Sequence, residues 1–242
     1  MKRAFDIFVS AAGLLVFAPV LLVVMFLVWR QDRCSPFYIA PRVGKNLRLF
    51  KMVKLRSMIA NADESGVDST SGDDARITPV GHFIRRYKLD EVTQLWNVLK
   101  GDMSLVGPRP NVKRETELYT DEEKRLLSVR PGITDFASIV FADEGEILEG
   151  KEDPDLVYNQ LIRPYKSRLG LFYIDQKSIF LDLSLCYLTV LAILSRRSAL
   201  NKVARMIETR GGEGELVHVA RRLSPLVAAP PPGSSSIVTS RT

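Results

Sequence analysis

Asp90 and Glu91 stand side by side in the run RRYKLDEVTQLWNVLKGDMSLVGPRP, residues 85–110. A carboxylate in the first turn of a helix faces free backbone N–H groups and the positive end of the dipole. That favours its charge by about 0.3–1 kcal/mol, and by up to ~2 kcal/mol when partly buried. Arg85 and Arg86, just upstream, add to it: opposite charges about 4 Å apart at an effective dielectric near 20 attract by ~4 kcal/mol before desolvation. An ionised, oriented carboxylate suits two tasks, attack on phosphorus and coordination of magnesium. Neighbouring side chains on a helix diverge by about 100°, so a division of labour fits better than a symmetric clamp. The ordinary alternative makes Asp90 an N-cap and Glu91 a first-turn partner of the dipole.

Downstream, Pro108 and Pro110 bracket Arg109. They limit backbone freedom and hold a guanidinium in one direction, as a bidentate grip on phosphate requires. Arg130-Pro131-Gly132 is a second rigid basic corner. The net charge of +6 calls for an anionic partner, whether lipid headgroups, phosphorylated small molecules or nucleic acid. No RNA-binding motif or zinc finger supports nucleic acid. Cys34, Cys186, His82 and His218 lack zinc-site spacing, and both cysteines are expected to be buried apolar residues in a reducing, cytoplasmic setting.

Several elements must position these groups. Leu89, Val92, Leu95, Trp96 and Leu99 recur at helical steps and predict one amphipathic helix, stopped by Gly101. Residues 37–58 predict a short β-hairpin turning at Gly44-Lys45-Asn46, its second arm (47–58) carrying Arg48, Lys51, Lys54 and Arg56. Residues 61–74 read as an exposed acidic loop, 120–128 as a short charged helix, and 155–169 as a helix interrupted at Pro164. Ile179–Leu194 is apolar but short for a span. It is expected to dock on the core or lie in the membrane interface, with Arg196 and Arg197 near lipid phosphates. From residue 211 the Gly, Glu, Pro and Ser content predicts a disordered tail.

Within residues 7–29 the only polar side chain is Ser10. This stretch is about 35 Å long as a helix, enough to span. Pro19 predicts a break or bend. Lys2 and Arg3 precede the segment and Arg30 and Arg33 follow it, so the positive-inside rule draws both ends to the cytoplasmic face. A segment that enters and leaves by one face satisfies this, and a proline-kinked single span is the alternative.

The string KLDEVTQLWNVLKGDMSLVGPRP resembles the signature of the bacterial sugar transferases, the monotopic polyprenyl-phosphate phosphoglycosyl transferases. KRAFDI, PRVGKN, FKMVKLRSM, DDARITPVGHFIRR and RPGIT match in order, over roughly residues 2–194. The resemblance implies a mixed α/β, predominantly helical fold. It comprises a re-entrant membrane helix in residues 1–33, a catalytic domain in 34–210 with a short hairpin and interfacial amphipathic helices, and the tail, 211–242. It implies transfer of a phosphosugar from a UDP-sugar to undecaprenyl phosphate with release of UMP and with Mg2+. The place would be the cytoplasmic face of the bacterial inner membrane, among its lipids, and the product would initiate exopolysaccharide, lipopolysaccharide or other glycan synthesis. Asp90 would be the nucleophile and Glu91 the metal ligand, with Arg85 near them; Lys54, Arg56, Arg109 and Arg130 would serve substrate binding.

Two departures carry expectations of their own. Ala18-Pro19 replaces the family's Ser-Pro at the membrane break. Asp135-Phe136-Ala137-Ser138 replaces Gly-Trp-Ala-Gln after RPGIT, where altered sugar or nucleotide contacts are expected. The length of the chain argues against the multi-span N-terminal domain of larger members. The competing readings are a membrane-anchored scaffold that binds anionic lipid or assembly partners, and a phosphate-ester hydrolase in which water replaces the lipid acceptor. The sugar and the oligomeric state are not encoded in any motif.

Overall fold

Helix α1 (Lys2–Asp32) opens the computed structural model, which describes residues 1–62, Thr70 and 72–240. Apolar side chains lie all round α1, and only Asp6, Ser10, Leu21, Val24 and Val28 are buried. Leu15 is 78% exposed, and Val16, Leu22 and Val23 are nearly as open. A continuous apolar surface of this kind belongs in lipid. Among the described residues α1 is the one helix long and apolar enough to cross a membrane, and it runs on through Pro19.

Both ends of α1 are fastened to the same folded body. Lys2 Nζ donates to Asp182, to the Tyr173 hydroxyl and to Val106 O. Arg3 donates to Val98 O and Leu99 O at the end of α4 (Leu95–Lys100), where a cation suits the free carbonyls. Asp6 accepts from Ser104 Oγ and the Leu105 N–H. At the other end the Arg56 guanidinium forks onto Asp32 at 2.5 and 2.7 Å. Leu21, Val24 and Val28 cluster there with Leu55, Ile84 and Leu89.

Strands β1 (Phe37–Val43) and β2 (Leu49–Leu55) form the expected antiparallel hairpin, Phe37 opposite Leu55 and Val43 opposite Leu49. α2 (Pro79–Arg86) follows, capped by Thr78, whose hydroxyl accepts the Gly81 N–H at 2.9 Å. The single helix expected across 89–99 is instead two short ones, α3 (Leu89–Val92) and α4, with Lys88 in the left-handed region before them (φ 54). The apolar stripe also fails in part: Trp96 is 52% exposed, whereas Thr93, Gln94 and Asn97 are buried. The reason is the free edge of β2, whose backbone groups need partners. Asn97 supplies them, accepting the Val53 N–H at 2.9 Å and donating to Lys51 O at 2.7 Å.

A two-stranded parallel sheet joins β3 (Ser104–Val106) to β4 (Gly132–Thr134). There Gly107 and Gly132 touch backbone to backbone; a Cβ on Gly132 would sit 2.1 Å from Gly107 N. Gly132→Ala is therefore expected to destabilise by about 1–3 kcal/mol and to shift the adjoining proline-arginine loop. Thermal unfolding in detergent is the measurement.

α5 (Lys113–Glu117) lies beside β1, and the remaining helices build one core: α6 (Phe136–Val140), α7 (Glu144–Leu148), α8 (Pro154–Val157), α9 (Arg163–Gln176), α10 (Ile179–Leu194), α11 (Arg196–Thr209) and α12 (Gly214–Arg221). The interruption expected near Pro164 is a wider π-turn, Tyr158–Ile162. The charged stretch 120–128 winds as a 3-10 helix over Glu123–Ser128. α10 docks Leu181, Leu185 and Leu188 on the core and leaves Phe180, Tyr187, Val190 and Leu194 exposed, so it has both faces the sequence called for. Arg196, however, pairs with Asp143 at 2.7 Å instead of standing free.

Two further expectations are corrected. The tail is structured: α12 buries Leu216, Val219 and Ala220 at helical spacing. Beyond it Tyr165, Gln160 and Arg168 hydrogen-bond Val227 O, Val238 O and Pro230 O. Side chains of α9 and the π-turn satisfy a backbone that composition alone would leave to water. Cys34 is exposed, and both cysteines are free thiols. Of the acidic loop, residues 63–69 and 71 lie outside the described residues, and the Gly72 N–H donates to Gly145 O at 3.0 Å.

Candidate active site

α3 is only four residues long, and it places Asp90 inward, 9% exposed. β2 presents Lys54 to it, with Nζ 3.4 Å from Asp90 Oδ2. The spacing between these groups is set by the β2–α3 seam, where Thr93 Oγ1 donates to Val53 O at 3.2 Å and to Asp90 O at 3.0 Å. Asp90 Oδ1 is buried with no hydrogen-bond partner among the described residues. A buried carboxylate oxygen without a partner is costly, so it marks where a reacting atom or a cation belongs.

Glu91 meets Arg109 from the loop after β3, with Nη1 2.9 Å from Oε1. Burial alone would raise its pKa, but the Arg109 guanidinium and the Lys54 and Lys88 ammoniums overcome this and hold it down at about 2. Glu91 in turn raises Arg109 above the usual arginine range. Burial pushes the Lys54 ammonium down, against the pull of Asp90 and Glu91. Arg85 comes from the last turn of α2; its Nε donates to Ser57 Oγ at 3.0 Å, and its charge reaches Asp90. The result is two carboxylates interleaved with three cations, one carboxylate oxygen being unpartnered.

The residues fit a magnesium ion. No group of three or more metal-binding side chains occurs among the described residues. Mg2+ asks for less than that, usually one or two carboxylates with phosphate oxygens and water completing the shell.

The sequence model of the family described as bacterial sugar transferase matches residues 1–196. The chain belongs to the bacterial sugar transferase family. A UDP-galactose-lipid carrier transferase from Erwinia amylovora is 32% identical over 216 residues, 82% of this chain and 41% of its own. The undecaprenyl-phosphate galactose phosphotransferase of Salmonella typhimurium is 33% identical over 216 residues, with 82% and 41% covered. The exopolysaccharide production protein ExoY of Sinorhizobium fredii is 34% identical over 215 residues, covering 81% of this chain and 87% of its own. The chain thus spans about two fifths of the first two relatives and most of the third.

In this bacterial sugar transferase Asp90, Glu91, Arg85, Lys54 and Arg109 come together, and two expected substrate-binding residues do not join them. Arg56 is buried and fully committed to Asp32 and Ser35 O, so it clamps the end of α1. Arg130 is exposed and donates to Gly101 O at 3.1 Å. Asp135 and Phe136 are buried as well. Asp135 caps α6 by accepting the Ser138 N–H at 2.7 Å, and Phe136 meets Phe172 in the core. The departure after RPGIT is thus a helix cap and a core contact. Sequence reading missed Ser57, Thr93 and Asn97. The signal for the last two was polar residues four apart on one face of an apolar helical run.

Proposed function

We propose that this chain transfers a phosphosugar from a UDP-sugar to a polyprenyl phosphate such as undecaprenyl phosphate. The reaction runs at the cytoplasmic face of the bacterial inner membrane and starts a surface glycan. The observation that carries this reading is the unpartnered Asp90 carboxylate oxygen, buried beside Lys54, Arg85 and the Glu91–Arg109 pair. The printed names of the relatives, a UDP-galactose-lipid carrier transferase and an undecaprenyl-phosphate galactose phosphotransferase, support the same donor and acceptor classes.

An oxygen of Asp90 bonds to the phosphorus that bears the sugar. The bond from that phosphorus to the bridging oxygen breaks, and UMP leaves with the electron pair. The phosphate of the polyprenyl acceptor then attacks the same phosphorus. The aspartyl–phosphorus bond breaks, which frees the carboxylate and yields a polyprenyl-diphosphate sugar. Arg109 and Lys54 neutralise the phosphate oxygens, and charge already oriented in a water-poor site costs no reorganisation as the reaction proceeds. Glu91 would hold Mg2+, which when bound supplies Lewis-acid stabilisation of phosphate charge.

α1 serves the lipid substrate. Its two ends are tied to one body through Lys2, Arg3 and Asp6 at the start and Asp32 at the finish, while its middle is exposed and apolar. This supports a re-entrant helix, since a straight span would carry one tied end to the opposite face.

The test is UMP release from a panel of UDP-sugars, with membranes, Mg2+ and undecaprenyl phosphate. Release that depends on the acceptor is the expected result. Release without the acceptor would make the protein a hydrolase, and no release with any donor would favour a scaffold.

A further inference from the structure

The polar surface continues past Arg109. Glu144, at the start of α7, forms a close ion pair with Lys166 of α9. The Lys166 ammonium in turn lies 5.2 Å from the centre of the Tyr158 ring. Tyr158 opens the π-turn between α8 and α9, and widened turns of this kind occur frequently at functional sites. Arg109 is linked electrostatically to both halves, because Glu91, paired with it at 2.9 Å, and Glu144 both stabilise its charge.

The protonation states follow from these neighbours. Burial would raise the Glu144 carboxyl, but Lys166, Arg109 and Lys88 bring it below its ordinary value, so it accepts hydrogen bonds. Burial, with Glu115 and Glu144 nearby, pushes the Tyr158 phenol well up, so it keeps its proton and donates. Glu144 and Lys166 are only partly buried. The phosphoryl-transfer reading uses none of these three groups.

A carboxylate acceptor, an ammonium donor and a phenol donor side by side are complementary to vicinal hydroxyls, each of which both donates and accepts. A second phosphate is a poor match because Glu144 would repel it. The donor's sugar is bonded to the phosphate that Arg109 is placed to grip, so its ring falls next along this surface. We propose that Glu144, Lys166 and Tyr158 form the shelf that reads the sugar hydroxyls of the donor and so selects the sugar. This rests on the phosphosugar-transfer reading above. A pair that merely tied α7 to α9 would lower activity equally for every sugar, which separates the two roles.

The experiment measures kcat/KM for UDP-glucose, UDP-galactose, UDP-N-acetylglucosamine and UDP-N-acetylgalactosamine with undecaprenyl phosphate. It compares the unmodified protein with Glu144→Gln and Tyr158→Phe. The preference for the best donor over the next is expected to change by roughly 10-fold or more in Glu144→Gln. In Tyr158→Phe, which keeps the ring against Lys166, roughly a 3- to 10-fold change is expected, and this variant decides the matter if Glu144→Gln does not fold. Preferences unchanged in the variants, with turnover measurable, overturn the shelf alone. No UMP release by the unmodified protein from any donor overturns the transferase reading and the shelf with it.

Discussion

Asp90→Asn lowers UMP release by at least roughly four orders of magnitude, the scale expected when a covalent nucleophile is removed. The amide keeps the shape of the side chain and can still accept from Lys54, so the fold is preserved and the loss is chemical. Glu91 cannot take over: its Oε1 is held by Arg109 at 2.9 Å. Two measurements check this. UMP release gives the rate, and intact-protein mass after incubation with donor alone reports the phosphosugar adduct. The native protein gains that mass and Asp90→Asn does not. Full activity in the variant would remove the covalent step, and an adduct on another residue would move it elsewhere.

Glu123→Ala is expected to destabilise the fold by about 3–5 kcal/mol, the cost of stranding a buried charge. Glu123 is fully buried. Its Oε1 accepts from Arg163 Nε at 3.0 Å and Ser167 Oγ at 2.7 Å, and its Oε2 from Arg163 Nη2 at 2.6 Å and the Thr120 N–H at 3.1 Å. Arg163 also donates to Leu118 O and Asn159 Oδ1. This one ion pair therefore ties the 3-10 helix to α9 and to the π-turn that carries Tyr158. Without the carboxylate, the guanidinium remains in the interior without a counter-charge. For a chain of this size the unfolding midpoint should fall by roughly 10 °C, read by circular dichroism in detergent. An unchanged midpoint would mean that the pair is solvated in solution. Catalytic rate is a poorer readout, because loss of the pair also loosens the wall of the site.

Much of the site was legible because its chemistry lies in short motifs. Asp90, Glu91 and Arg85 are near neighbours, and the prolines around Arg109 announce a rigid loop. The hairpin was legible from β-favouring residues around a turn, and α1 from an unbroken apolar run. Arg56 and Arg130 share motifs with site residues but point elsewhere. Whether an arginine grips substrate or Asp32 depends on which carboxylate comes within reach, and the Arg56–Asp32 contact joins residues 24 apart in the chain.

The chain order alone determined where the paired carboxylates stand, where the long apolar helix lies and which family the protein joins. Local spacing, side-chain type and hydropathy are enough for those. Only the folded molecule decided that α3 and α4 are separate helices turned by their polar face onto the free edge of β2, and that the last residues pack against α9. It alone brought Glu144, Lys166 and Tyr158 together, with the Glu144 charge within reach of Arg109. These outcomes rest on backbone groups that seek partners across long loops, and on charges whose neighbours come from distant segments. Neither leaves a periodic trace in the residues themselves.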